Sequence, residues 1–296
     1  MKSVAKLPIF VLNNDTNEHF MDNLSWQSAT GLKLHAQCWA PSMPVKAVVA
    51  LVHGMGEHIG RYEHVAQFFN QKGIAVIAYD QQGHGKSEGT RGHIVSVTSL
   101  LDDVGKLLGE VEKRFPGKPV FLYGHSMGGN AVLNFALLNK PKVAGIIATS
   151  PWIQLAFKPS TIKVLAGRLV NRISPTLSLV SGLDTQFLSH DPAVVKAYNE
   201  DPLVHGKISA GGGVVLLDLA QKLDTAVAEL GSPLLITHGS GDKITSHAAS
   251  YQFALRAKGD VTFREWPGLY HELHNELEKE SYLNFLYAWM VEKITP

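Results

Sequence analysis

The stretch "FLYGHSMGG", Phe121 to Gly129, sets a serine between two glycines, with an apolar run before it and helix-forming residues after it. The pattern Gly124-His125-Ser126-Met127-Gly128 says little by itself, because Gly tolerates positive φ and Ser is at home in many tight turns. Its surroundings give it meaning. Where G-x-S-x-G joins a buried strand to a helix, the sharp turn lifts the serine side chain above the sheet, and small neighbours prevent collision.

The segments on either side of the turn support that context. "AVVALVH" (47–53), "IAVIAYD" (74–80), "PVFLYG" (119–124), "VAGIIATS" (143–150) and "PLLITHG" (233–239) are short, almost continuous apolar runs. Runs without polar alternation suit strands covered on both faces, and therefore a mostly parallel sheet with helices above and below it. Between them "RYEHVAQFFNQKG" stops at Gly73, "VTSLLDDVGKLLGEVEKRFPG" opens on a Thr/Ser cap, and "GNAVLNFALLNKP" follows the serine. These read as helices, and the alternation predicts a doubly wound α/β fold with its functional groups at the carboxyl ends of the strands. Ahead of them, Trp26 to Ala40 reads as an antiparallel hairpin around "ATG", ended by Pro41 and Pro44.

The alternation breaks after residue 150. Residues 151–220 carry five prolines, Pro151, Pro159, Pro175, Pro192 and Pro202, and the run Gly211 to Gly213. We expect a core formed by 1–150 and 221–296, with 151–220 as an inserted cap, or lid. Within the cap Ile162, Leu165, Ala166, Leu169, Val170 and Ile173 follow helical spacing beside Lys163, Arg168 and Arg172, and no acidic residue occurs from Pro151 to Leu183. Two readings of that stripe stay open: a cover for the mouth of the site, or a basic amphipathic helix in transient contact with a membrane or micelle surface.

Composition narrows the function classes. A formal charge of +1 with no Lys/Arg block leaves no basic field for nucleic acid. "MKSVAKLPIF" lacks the apolar run of a signal peptide and no later run approaches the ~20 residues of a bilayer span, so a soluble, cytoplasmic protein is expected. The one cysteine, Cys38, excludes an internal disulfide and alternates with Leu34 and Ala36 as a strand-packing residue.

A serine hydroxyl needs a base to take its proton and a carboxylate to orient that base. In sheets that carry this elbow the order along the chain is Ser, acid, His, each after a strand. "SGDKIT" places Asp242 after the strand "PLLITHG", and "LYHELH" places His271 after "VTFREWPG", with His274 as the other candidate base. "His53-Gly54-Met55-Gly56" has the form of a loop donating one oxyanion N–H, and the residue after the nucleophile donates the other, giving Met55 and Met127 as main-chain donors. His53 and His125 read as packed and hydrogen-bonded, Asp80 as a turn residue, and Asp184 as lying outside the strand ends. "GHGKS" lacks the first glycine of a phosphate loop, since position 80 is Asp, and "HELH" is not H-E-x-x-H. No metal and no cofactor are expected.

Together "HGMGEH", "YDQQGHGKSEG", "YGHSMGG", "GSGDKIT" and "YHELHNE", with "AYNEDPLVH" in the cap, resemble the monoglyceride lipase and lysophospholipase-like family of α/β-hydrolases. The resemblance runs from about Ala47 to the C-terminal helix. It implies that Ser126 is the nucleophile, Asp242 the orienting acid and His271 the general base, and that the substrate is a monoacylglycerol or related lipid ester. A lysophospholipase, a broad carboxylesterase and a non-catalytic binding protein on the same fold are the alternatives. It further implies that Glu57, Arg61 and His274 form the polar end that meets glycerol; the other reading pairs Glu57 with Arg61 at the start of a helix. An apolar cap suits a long acyl chain, since each buried methylene contributes roughly 0.8 kcal/mol.

Overall fold

In the computed structural model, which describes residues 20–294, the apolar runs form the middle of one sheet. The elements in chain order are β1 (Phe20–Gln27), β2 (Lys33–Ala40), β3 (Ala47–Val52), α1 (Glu63–Asn70), β4 (Ile74–Tyr79), α2 (Val97–Arg114), β5 (Val120–His125), α3 (Met127–Asn139) and β6 (Gly145–Thr149). They continue with α4 (Thr161–Ile173), β7 (Ser178–Val180), α5 (Pro192–Glu200), β8 (Lys207–Ser209), α6 (Ala210–Thr225), β9 (Leu234–Gly239), α7 (His247–Arg256), β10 (Val261–Trp266) and α8 (Lys279–Ile294). The sheet order is β1-β2-β4-β3-β5-β6-β9-β10. β1 and β2 pair antiparallel, as do β2 and β4, and every other neighbouring pair is parallel. This is the α/β-hydrolase arrangement.

Strict side-chain alternation on the central strands feeds two separate cores. Val48, Ala50 and Val52 of β3 join Ala75, Ile77 and Tyr79 of β4 on one face, with α2 and α3 packed over them. Ala47, Val49 and Leu51 join Ile74, Val76 and Ala78 on the other, under α1 and α8. Burial on both faces explains why these runs show no polar alternation. Cys38 shares the first core with Leu34 and Ala36, as its spacing predicts.

Three boundaries differ from the sequence reading. The hairpin begins at Phe20, ahead of Trp26, because polar Asp22, Asn23 and Ser25 on an edge strand hide its period. α2 is capped by Ser96, whose hydroxyl accepts from Ser99 N–H while Ser99 reciprocates, two positions upstream of the expected Thr98-Ser99 pair. A boundary at 220 falls inside α6, whose Leu216, Leu219, Ala220 and Leu223 belong to the first core and which lies against α3.

The apolar stripe of α4 faces away from the site. Ile162, Leu165, Leu169 and Ile173 are 78%, 70%, 58% and 80% exposed. None of the residues of α4 lines the cavity described below. The cover over the mouth comes instead from Phe157, the 181–184 loop, Phe187 and Leu188. Among the described residues no helix is long and apolar enough to cross a membrane. The segment "MKSVAKLPIF" lies outside the described residues.

Candidate active site

The turn after β5 takes the expected form. Ser126 sits at φ 53°, ψ −113°, a left-handed conformation that costs a side-chain-bearing residue about 1–3 kcal/mol. The surroundings hold it there: Ser126 N–H donates to Thr149 O, and Ser126 O accepts from Asn130 and Trp152 N–H, each at 3.0 Å. The flanking glycines are required by approach. A Cβ on Gly128 would stand 2.1 Å from Val52 O, and one on Gly124 2.3 Å from Gly128 O. α3 starts at Met127, so the Met127 N–H has no acceptor within the helix, and its thioether is buried in the first core.

The loops after β9 and β10 bring Asp242 and His271 together across 29 residues. His271 Nδ1 lies 2.7 Å from Asp242 Oδ2. The same oxygen receives His238 Nε2 at 3.0 Å and has Thr245 Oγ1 at 2.9 Å, while Oδ1 accepts from Ile244 and Thr245 N–H at 2.7 and 3.0 Å. Burial alone would raise the Asp242 pKa, but the two imidazoles and their hydrogen bonds outweigh it and hold the carboxyl well below its ordinary range. His271 is lowered by burial and raised more strongly by Asp242, with a net upward shift. His238 was missed in the sequence, where its place at the end of a core strand reads as packing. Ser250 Oγ, 2.8 Å from His238 Nδ1, leaves Nε2 as the nitrogen that donates to Asp242.

A pH profile tests this arrangement. An imidazole accepts a proton only when neutral, so activity that depends on His271 is lost as pH falls through its raised pKa. The acid limb of kcat/KM is therefore expected to have its midpoint above the ordinary His value of about 6.5. A midpoint below that value would contradict the arrangement.

Ser126 and His271 open on one cavity, and Ser150 Oγ donates to His271 O to fix that loop beside the turn. No hydrogen bond joins Ser126 Oγ to His271 among the described residues; bonds of this kind tighten when substrate enters. His274, the other candidate base, makes no hydrogen bond to Asp242 or Ser126 among the described residues, and its ring lies 5.0 Å from that of His125. It is buried, with neither ring nitrogen hydrogen-bonded among the described residues, and it stacks on Tyr62 at 4.7 Å between ring centroids. Burial pushes it down to about 3, so it stays neutral. His125 bonds Thr149 Oγ1 and His53 accepts from Gln81 N–H, both in packed positions as read from the sequence. Asp80 ties its loop by accepting from Ile59 and Lys86 N–H.

In the loop after β3, Gly54 N–H is taken up by Glu57 Oε1 at 2.6 Å. Met55, the next residue of that loop, lines the cavity together with Ser126. The cavity has a volume of about 370 Å³ and a predominantly apolar wall that includes Trp152, Leu155, Phe157, Phe187, Leu188 and Ile244. Its polar end, at Gly54 and Ser126, holds Glu57, Tyr198 and Glu272.

Of the three residues implied to meet glycerol, only Glu57 lines the cavity. Arg61 lies behind the wall, donating to Glu57 Oε2 at 2.8 Å and to both oxygens of Glu272 at 2.7 and 2.6 Å, under the ring of Tyr198. The pairing of Glu57 with Arg61 is therefore present, and it extends to a carboxylate 211 residues away that no local pattern could indicate. Burial raises Glu57, opposed by Arg61, and three donors, Gly54 N–H, Tyr62 O–H and Arg61, face its oxygens. In Glu272 burial is overcome by Arg61, which brings the carboxyl down to about 2. Among the described residues no group of three or more His, Cys, Asp or Glu side chains has the spacing of a metal site.

Comparison with known proteins gives the family and the fold. The Hydrolase_4 family, described as serine aminopeptidase, S33, matches residues 43–278. An uncharacterized abhydrolase domain-containing protein of Dictyostelium discoideum is 39% identical over 88% of this chain, which spans 28% of that longer protein. A monoacylglycerol lipase of Mycolicibacterium smegmatis is 34% identical, covering 91% of this chain and 97% of its own length. The structure of a Paleococcus ferrophilus monoacylglycerol lipase superposes with a TM-score of 0.81 at 34% identity, covering 88% of this chain and 99% of that one. With most of its length matched and the turn, sheet and loops in place, the chain belongs to the serine aminopeptidase S33 family of α/β-hydrolases and is a carboxylic ester hydrolase of monoglyceride lipase-like type.

Proposed function

We propose that the protein cleaves monoacylglycerol to a fatty acid and glycerol through an acyl-enzyme on Ser126. The observation that carries this reading is the lining of the cavity: a predominantly apolar wall that also holds Ser126 and, beside it at Gly54, a buried cluster of hydrogen-bonding groups. The chamber accommodates an acyl chain and the cluster a hydroxylated alcohol. Ser126 Oγ attacks the ester carbonyl as its proton passes to His271 Nε2, and Asp242 steadies the resulting imidazolium. The oxyanion accepts hydrogen bonds from the Met55 and Met127 N–H groups, each such donor contributing about 2.7–4 kcal/mol to the transition state. Collapse expels the alcohol, which takes the proton from His271. Water then repeats the sequence, and the fatty acid leaves.

In this reading residues 151–220 act as a cap, and the outward stripe of α4 rests transiently on a membrane or micelle surface. Four apolar side chains that are more than half exposed on one helix, flanked by Arg172, support that role. The decisive experiment compares kcat/KM on monoacylglycerol, triacylglycerol, lysophosphatidylcholine and a short p-nitrophenyl ester. Monoacylglycerol is expected to lead. Ile162→Ser with Leu165→Ser is expected to lower the rate on micellar monoacylglycerol severalfold and to spare the water-soluble p-nitrophenyl ester. Equal rates across the four substrates would remove the substrate assignment, and equal losses on both forms would remove the surface contact.

A further inference from the structure

Glu272 is a second carboxylate at the alcohol end of the cavity, and neither the turn pattern nor the resemblance assigns it a role. It follows His271 directly, is buried, and lines the chamber with Glu57, Tyr198 and Ser126. A Cβ placed on Gly54 would meet Glu57 Oε1 at 2.7 Å and Ser126 Cβ at 3.4 Å, so the carboxylate cluster stands beside the nucleophile. One guanidinium serves both acids: Arg61 Nη1 lies 2.8 Å from Glu57 Oε2 and 2.7 Å from Glu272 Oε1, and Nη2 lies 2.6 Å from Glu272 Oε2. With both carboxylates ionised, the cluster carries a net charge of one negative unit. The other oppositely charged residues on the wall, Asp184 and Lys243, balance each other.

The hydrogen-bond inventory shows what this cluster has left to offer. Glu57 Oε1 already accepts from Gly54 N–H and Tyr62 O–H, and Glu272 Oε2 from Arg61 and Asn275. Among the described residues Glu57 Oε2 and Glu272 Oε1 each accept one bond, both from Arg61 Nη1, and a carboxylate oxygen has room for a second. Arg61 itself does not line the chamber, and its plane is covered by the Tyr198 ring at 4.7 Å. The lining carboxylates Glu57 and Glu272 thus keep acceptor capacity at the end where the Arg61 guanidinium is already engaged by both of them.

We propose that Glu272 is a specificity residue: with Glu57 it makes the alcohol end an acceptor-rich site of net negative charge, admitting alcohols with neutral hydroxyl groups and excluding those that carry a phosphate. The proposal rests on the monoacylglycerol reading above and adds the reason for discrimination. Hydroxyl groups donate to the two spare lone pairs. A phosphate has few protons to donate and brings like charge within a few ångströms of a buried anion, where a reduced effective dielectric constant leaves repulsion large enough to change rates by more than tenfold.

The test measures kcat/KM for 1-monooleoylglycerol, oleoyl lysophosphatidate and ethyl oleate, each dilute in neutral detergent micelles, for wild type and Glu272→Gln. We expect wild type to favour monooleoylglycerol over lysophosphatidate by about 100-fold or more, and E272Q to narrow that ratio by about tenfold or more. Wild-type hydrolysis of lysophosphatidate within about threefold of monooleoylglycerol overturns the proposal, and this arm decides even if E272Q does not fold. A folded E272Q with the wild-type ratio also overturns it. Ethyl oleate separates the two failures. A wild-type rate on monooleoylglycerol no higher than on ethyl oleate sinks the monoacylglycerol reading, whereas a clear preference for monooleoylglycerol with an unchanged ratio in E272Q sinks the Glu272 proposal alone.

Discussion

Replacing Ser126 by alanine lowers kcat by about 10⁴- to 10⁶-fold toward every ester the wild type hydrolyses, and it abolishes labelling by a fluorophosphonate. The size follows from the loss of the nucleophile, after which base and acid have nothing to activate. The two main-chain donors and the chamber remain, and they leave a small residual rate above water. Stability should change by less than about 0.5 kcal/mol, because the Ser126 hydroxyl makes no capping bond and alanine meets the same backbone strain at φ 53°. Thermal unfolding and single-turnover kinetics check the two halves separately. A folded variant that keeps a tenth of the wild-type rate would remove Ser126 from the mechanism.

The second large effect is at Asp242. Asn at this position keeps an oxygen for the Ile244 and Thr245 N–H groups, but it turns an amide NH₂ toward His271 Nδ1 and His238 Nε2. His271 must then present the wrong tautomer to Ser126, a change worth about 10⁴-fold in kcat. Because the Asp242 charge is what raises His271, the acid limb of the pH profile should also move down in Asp242→Asn. The His238 Nε2–H, left facing a donor, costs roughly 1–3 kcal/mol of stability, so the melting temperature should fall, in contrast with Ser126→Ala. A variant with a normal melting temperature, an unmoved limb and near-normal turnover would show that Asp242 does not orient His271.

Much of this was legible along the chain because it is local. The serine turn, the acid after "PLLITHG" and the histidine after "VTFREWPG" are each announced by a strand that ends within a few residues of them. The hairpin start at Phe20 was not, since an edge strand with polar residues on its open face carries little hydrophobic period. The direction of the α4 stripe was not legible either. Spacing shows that Ile162, Leu165, Leu169 and Ile173 share a face, but which way that face points depends on what α6 offers to the other side of the helix.

What the sequence by itself determined is the set of buried strands, the turn that carries Ser126 and the order in which its partners arrive, because each follows from short-range periodicity and steric need. Only the tertiary structure decided which histidine meets Asp242, that His238 shares that carboxylate, and that Arg61 turns from the chamber to join Glu57 and Glu272. These are contacts between loops at the ends of different strands, and their charges choose partners by distance in space and by the loss of water around them, neither of which is encoded in neighbouring residues.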